Sequence, residues 1–435
     1  MEKNWQFYID SYTGKGGFED GSYLVKYPRE SDDKFKRRKQ LAIYPNYVKK
    51  IVDTYISHLF KQSPIRETTP EYEDFIQNVD KQGTYIDDFV RKAGKLSLIF
   101  GTVLVVIDRP RGKARTRLEE KQMGLLPYAV IRLPYEVEDI QLDPYGNISR
   151  IVFKESEVYR SFTNNEWIIS KDKEGKQIID SGSHELGIVP VVPVRWTDTV
   201  LPFDVFSPSF IQDIAQINFD FYNAISELRE ILRNITFPVL TLPIRDETTA
   251  NQLSNLTIGT ENFIPYNPEG GGKPDFIAPP PEPAKIYLEY INFLISQMYK
   301  IVNLEFALGS QSGKSGVALD FEFQQVNSLM AGIALHLEQA EYKIADIVAR
   351  WNGESGFDGK IEYDKDFSFK DIERELKNAM DALSLQISQT FDAELKKKMA
   401  REMLGDYVDE ATLERIDKEV DGLEGADNQL KNEGL

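Results

Sequence analysis

Residues 285–308, KIYLEYINFLISQMYKIVNLEFAL, make an apolar run that is too long for one strand and holds neither Gly nor Pro, so it predicts a helix. Apolar side chains fall almost all round it. Such a helix has to be covered on several sides, within a large core or between copies of the chain. Two more long helical patterns flank it. In 207–234, SPSFIQDIAQINFDFYNAISELREILRN, apolar residues from Phe210 to Leu232 recur at helical spacing, with Ser207 as the expected N-cap and Pro208 at the first position. In 317–351 the pattern is free of proline, and Gly332 is the expected bend. Between the first two lies a short strand, FPVLTLP, then a polar, turn-forming stretch from 244 to 284. The stretch ends in APPPEPA, which predicts a stiff polyproline spacer.

Upstream the signals are mixed. Tyr44, Tyr47, Val48, Ile51, Val52, Tyr55, Ile56 and Leu59 recur at steps of three and four and predict an amphipathic helix after Pro45. A single helical stretch from Tyr72 to Leu98 is expected to lead into a buried strand, IFGTVLVVID, at 99–108. From 127 to 196, β-rich runs alternate with DPYGN, TNNE and KEGK, which predicts a meander. Its last run, HELGIVPVVPVRW, carries Pro190 and Pro193 and belongs at a sheet edge or in an irregular extended segment. Charged helices follow over 368–420, and the last stretch is too polar to fold by itself. The fold class is therefore α+β.

A formal charge of -18 disfavours a protein whose task is to grip a phosphate backbone. The basic cluster Lys34, Lys36, Arg37, Arg38 and Lys39 reads as a solvated face paired with nearby acids. With no cysteine there is no disulfide, thiolate metal site or cysteine redox chemistry. The first residues, MEKNWQFYIDSYTGKGG, lack an apolar signal core, and charges interrupt the apolar stretches elsewhere, so neither secretion nor a membrane span is expected.

The stretch ALGSQSGKSGVAL (307–319) resembles a nucleotide-binding loop, but the spacing fails. The required first glycine falls on Leu308, and Gly309 leaves only three spacers before Gly313. A helical pattern precedes it where a strand is needed. The histidines, His58, His184 and His336, have no partner at metal-ligand spacing, and HELGI lacks a second histidine. Carboxylate pairs such as Asp320 and Glu322 are what so acidic a chain carries by chance. No catalytic, cofactor or metal residue is assigned, and enzyme activity is not expected.

HELGIVPVVPV (184–194) and SGVALDFEF (315–323), together with the order of elements from about residue 40 to 351, resemble the portal proteins of tailed bacteriophages of the siphophage and podophage type. That resemblance implies a mixed α/β wing over 1–205, stem helices over 206–236 and 284–308, and a small α/β clip over 237–283. It further implies a tunnel loop over 309–318, a long kinked helix over 319–351 and a helical crown with a tail over 352–435. In the loop, Gln311, Ser312, Lys314 and Ser315 would brush DNA, with Gly309, Gly313 and Gly316 as hinges. A ring of about twelve subunits at a capsid vertex is implied, in the virion after assembly in the host cytoplasm. Its partners would be the terminase large subunit, capsid and scaffolding proteins, a head–tail adaptor and double-stranded DNA read without sequence specificity. A minor capsid or adaptor protein is the alternative, and a P-loop packaging ATPase a weaker one. The short crown and the N-terminal segment depart from the family pattern.

Overall fold

The computed structural model describes residues 4–28, 30–236, 239–243, 263–266, 272–305, 316–367, 372–385, 387–404, 408–409 and 411–421. The chain divides into two compact units, Met1–Phe367 and Ser368–Leu435. In the first, α1 (Trp5–Thr13), α2 (Asp32–Leu41), α3 (Tyr47–Leu59), β1 (Ile65–Glu67), α4 (Pro70–Ile76) and α5 (Ile86–Phe100) precede β2 (Thr102–Asp108), α6 (Arg117–Gln122) and β3 (Tyr128–Arg132). Five strands follow, β4 (Val137–Leu142), β5 (Ile148–Glu155), β6 (Val158–Thr163), β7 (Glu166–Ser170) and β8 (Ile178–Ser183), then β9 (Val191–Arg195). The remainder is α7 (Gln212–Thr236), β10 (Val239–Pro243), β11 (Phe263–Tyr266), β12 (Asp275–Ile277), α8 (Glu282–Ile301), α9 (Gly316–Trp351) and β13 (Lys360–Glu362). The second unit holds α10 (Ile372–Ser384), α11 (Gln389–Leu404) and a helix over 411–421.

Strands β4 to β8 form the expected meander, each antiparallel to the next. The run VIRLPYEVEDIQLD is two strands, however, because a 3-10 turn at Pro134–Glu136 divides it. Its first part, β3, joins the sheet β3-β2-β9 instead. As expected, β9 lies at an edge of that sheet, where Pro193, lacking an N–H, stands opposite Leu104. A parallel β10–β11 pair and an antiparallel β10–β12 pair make the small inserted sheet.

Helix boundaries depart from the periodic patterns where local chemistry intervenes. The stretch Tyr72–Leu98 is two helices. Lys81 and Gly83 take positive φ (62° and 85°), and the Asp80 carboxylate accepts from the Gln82 N–H at 2.8 Å and the Thr84 hydroxyl at 2.7 Å, closing a turn. Ile99 and Phe100, expected in the strand, end α5 instead, because Gly101 at φ 85° is where the backbone turns into β2. Ser207 does not cap α7: its hydroxyl donates to the Thr197 carbonyl and its N–H to Thr102, and regular helix begins only at Gln212. The polyproline spacer is shorter than expected, since α8 starts at Glu282 with Pro283 in its first turn. It stops at Ile301, well before 308, with Asn303 at φ 56° and the Leu304 N–H returning to the Tyr299 carbonyl at 2.8 Å. Residues 306–315 lie outside those described. Helix α9 runs through Gly332 without interruption.

The core is shared by α3, α5, α7, α8, α9, β2 and β9, with Tyr55, Phe221, Met298, Ile333 and Leu337 among its buried side chains. A second cluster sits between the meander and β2, and a third is aromatic, built on Phe18 and Tyr222. The third gives the N-terminal segment a structural role, with Phe18 stacked on Tyr44 at 3.9 Å. Strand β13 pairs with β1, so residues 352–367 belong to the first unit; the division falls after Phe367 and not at 352.

Candidate functional site

Helices α7 and α8 run antiparallel. Tyr287 near the start of α8 donates to Glu227 in the second half of α7 at 2.5 Å, and Tyr47 bridges Phe221 of α7 and Tyr299 in the last turn of α8. Burial and the Glu227 carboxylate push the Tyr287 phenol up to about 12. On α8 the face carrying Ile291, Leu294 and Met298 is buried, as a core-facing apolar stripe must be. Ile286, Tyr290 and Phe293 stay 64%, 43% and 55% exposed. At 3.6 residues per turn these three form one stripe, about 100° round the helix from the buried face. Among the described residues, only one of the two apolar sides that the sequence gives this helix is covered.

To one side of its contact with α8, α7 carries a groove. Arg38, Leu41, Ser226, Arg229, Glu230 and Arg233 line a cavity of about 300 Å³ there. Its α7 residues, Ser226, Arg229, Glu230 and Arg233, lie roughly 60–160° round the helix from Glu227, the residue that meets α8. Arg229 donates to the Leu41 carbonyl, fixing the end of α2 on α7. Leu41 and Leu232 are exposed beside it. Beneath, Arg38 is almost fully buried, bonded to Glu30 at 2.8 Å and to Ser226 at 3.2 Å, with its guanidinium 4.4 Å from the Tyr27 ring. The basic cluster therefore splits. Lys34 reaches Glu230 at 3.7 Å, as a solvated face would, while Arg38 is a structural ion.

One further polar cluster holds α9 to the body. Glu341, fully buried in that helix, accepts from Arg66 through both oxygens (2.6 and 3.0 Å), from Tyr363 at 2.6 Å and from Tyr72 at 3.1 Å. Arg66 also meets Asp87 at 2.6 Å. Burial by itself would lower the Arg66 pKa, but the Glu341 carboxylate outweighs it and holds the guanidinium charged. Burial and that same carboxylate push the two phenols far up. Sequence reading missed this cluster because residues bonded within it are up to 275 positions apart.

The expected loop residues Gln311, Ser312, Lys314 and Ser315 lie outside the described residues, as do Gly309 and Gly313. Gly316 opens α9. A Cβ added at Gly332 would meet no atom within 4 Å. His58 is exposed. The other two histidines are half-buried. His184 bridges the Thr163 carbonyl at 3.1 Å and the Leu186 N–H at 3.3 Å, and His336 lies 4.0 Å from Asp198. Burial lowers both pKa values. Among the described residues no group of side chains could hold a metal ion, and no helix is long and apolar enough to cross a membrane.

No protein-family model matches the sequence, and no curated protein does. Among solved structures the chain is similar to a chain in the neck of an empty gene transfer agent particle, at 10% identity and a TM-score of 0.46 over 78% of this chain and 85% of that one. It is also similar to a chain in the virion of a native gene transfer agent particle, at 12% identity and a TM-score of 0.44 over 92% of this chain and 98% of that one.

Proposed function

We propose that the chain is a portal-type structural subunit of a phage-like particle, one of a ring of copies round a channel through which double-stranded DNA passes. The observation that carries this reading is the uncovered stripe on α8. A helix with apolar sides both toward and away from its own chain is what a subunit needs when neighbours complete its core. The residue resemblance supports it too, since HELGIVPVVPV ends in edge strand β9 and SGVALDFEF opens α9. In this reading α7 and α8 are the stem, β10 to β12 belong to the clip, and the loop before α9 faces the channel with Gln311, Ser312, Lys314 and Ser315. The protein is not an enzyme. The terminase large subunit and then a head–tail adaptor dock at the clip, while capsid and scaffolding proteins surround the wing. The charge of -18 per subunit, repeated round a ring, favours a conduit that does not hold its passenger.

Native mass spectrometry of the purified protein, with class-averaged electron images of the same sample, tests the proposal. A closed ring of about twelve 49.9 kDa subunits with a central hole is expected. A monomer at every accessible concentration would move the reading to a minor capsid or adaptor protein.

A further inference from the structure

We infer that the α8 stripe of one copy packs on the α7–α2 groove of the next, with Ile286 set against Leu41. This rests on the ring reading above and names the surfaces that would build it. Three observations lead there. The first is level. Because α7 and α8 are antiparallel with Tyr287 beside Glu227, Ile286 stands at the height of Leu228, next to Arg229, which holds Leu41. In a ring, neighbouring copies sit at the same height, so these surfaces are brought level without an axial shift. The second is exposure. Ile286, Tyr290 and Phe293 on the stripe, and Leu41 and Leu232 by the groove, all stay exposed, so the chain does not bring the two surfaces together by itself.

The third observation is charge. Glu282 and Glu289 flank the stripe, and both are exposed. Arg229 and Arg233 flank the groove, and among the described residues no side chain pairs with Arg233. The apolar centre with opposite charges at its rim is the arrangement of a specific interface. Exposed Leu41 and Leu232 supply the apolar part on the groove side, and Ile286, Tyr290 and Phe293 supply it on the stripe side.

The chain has no cysteine, so introduced pairs report without background. The full-length Leu41→Cys, Ile286→Cys double variant is treated with a short bismaleimide, resolved by denaturing electrophoresis, and imaged in parallel before cross-linking. Both positions are exposed, so folding is retained; each single-cysteine variant is the control. Rings in the images with a covalent ladder beyond dimer, from the double variant only, is the expected result. Rings without a ladder would overturn the pairing and leave the ring reading standing. A product that stops at dimer would mean a two-fold contact and overturn the pairing as well. Monomers in the images with no ladder would overturn both.

Discussion

At the scale of single residues, the most consequential side chain is Glu341, whose charge is buried and answered from β1, α4 and the segment after β13. Removing one partner of a buried pair costs more than the pair contributes, because the remaining charge is stranded. Arg66→Met is therefore expected to lower the unfolding free energy by about 3–5 kcal/mol in denaturant titrations. Tyr363→Phe, which removes one hydrogen bond to a charged acceptor, should cost about 1.5–3 kcal/mol in the same assay. The half-buried histidines set a pH dependence. Their folded pKa values are depressed, so unfolding takes up protons once pH falls below the unfolded value of about 6.5, and stability drops from there. Thermal midpoints are expected to fall from about pH 6.5 to about pH 5, with a shallower slope in His184→Gln. Little of this was legible in the sequence. Histidines without metal-ligand spacing were readable as structural, but the partners of Arg66 are fixed by tertiary packing that no spacing rule reports.

At the scale of elements, periodicity located the long helices and the meander, and failed at their ends. A pattern of apolar residues continues through a turn if the turn residues are themselves compatible with it, which is why 72–98 read as one helix. What breaks it is the Asp80 turn, whose hydrogen bonds to Gln82 and Thr84 outcompete helix. The α5–β2 junction is more tightly specified than any pattern shows. Gly101 is at φ 85°, and a Cβ there would fall 2.0 Å from the Ser207 carbonyl oxygen. Gly101→Ala should displace the 207–211 segment from the end of α5, where the Phe210 N–H bonds to the Leu98 carbonyl at 3.0 Å. Hydrogen exchange should then show faster exchange at Phe210 and lower global stability. Helix α8 was legible as apolar on several sides; that α7 and the core cover just one of them was not, because covering depends on neighbours.

At the scale of the whole molecule, the stripe and groove turn a local property into an assembly property. If Arg233 and Glu282 face each other between copies, Arg233→Glu should raise the concentration needed for half-assembly by about tenfold, and adding Glu282→Arg should recover most of it. Light scattering across a concentration series checks both, and the wild-type midpoint should rise with salt. The short pairing of β1 with β13 bears on how the protein is made. Ile65 and Glu362 are partners across nearly the whole first unit, and Arg66 beside them waits for Glu341. At a synthesis rate of about 5–20 residues per second, roughly 15–60 seconds separate the two strands leaving the ribosome. Until Glu341 is made, Arg66 has only Asp87 to pair with, so a nascent chain halted before residue 341 should stay sensitive to protease, and the first unit should lock only when its last strand arrives.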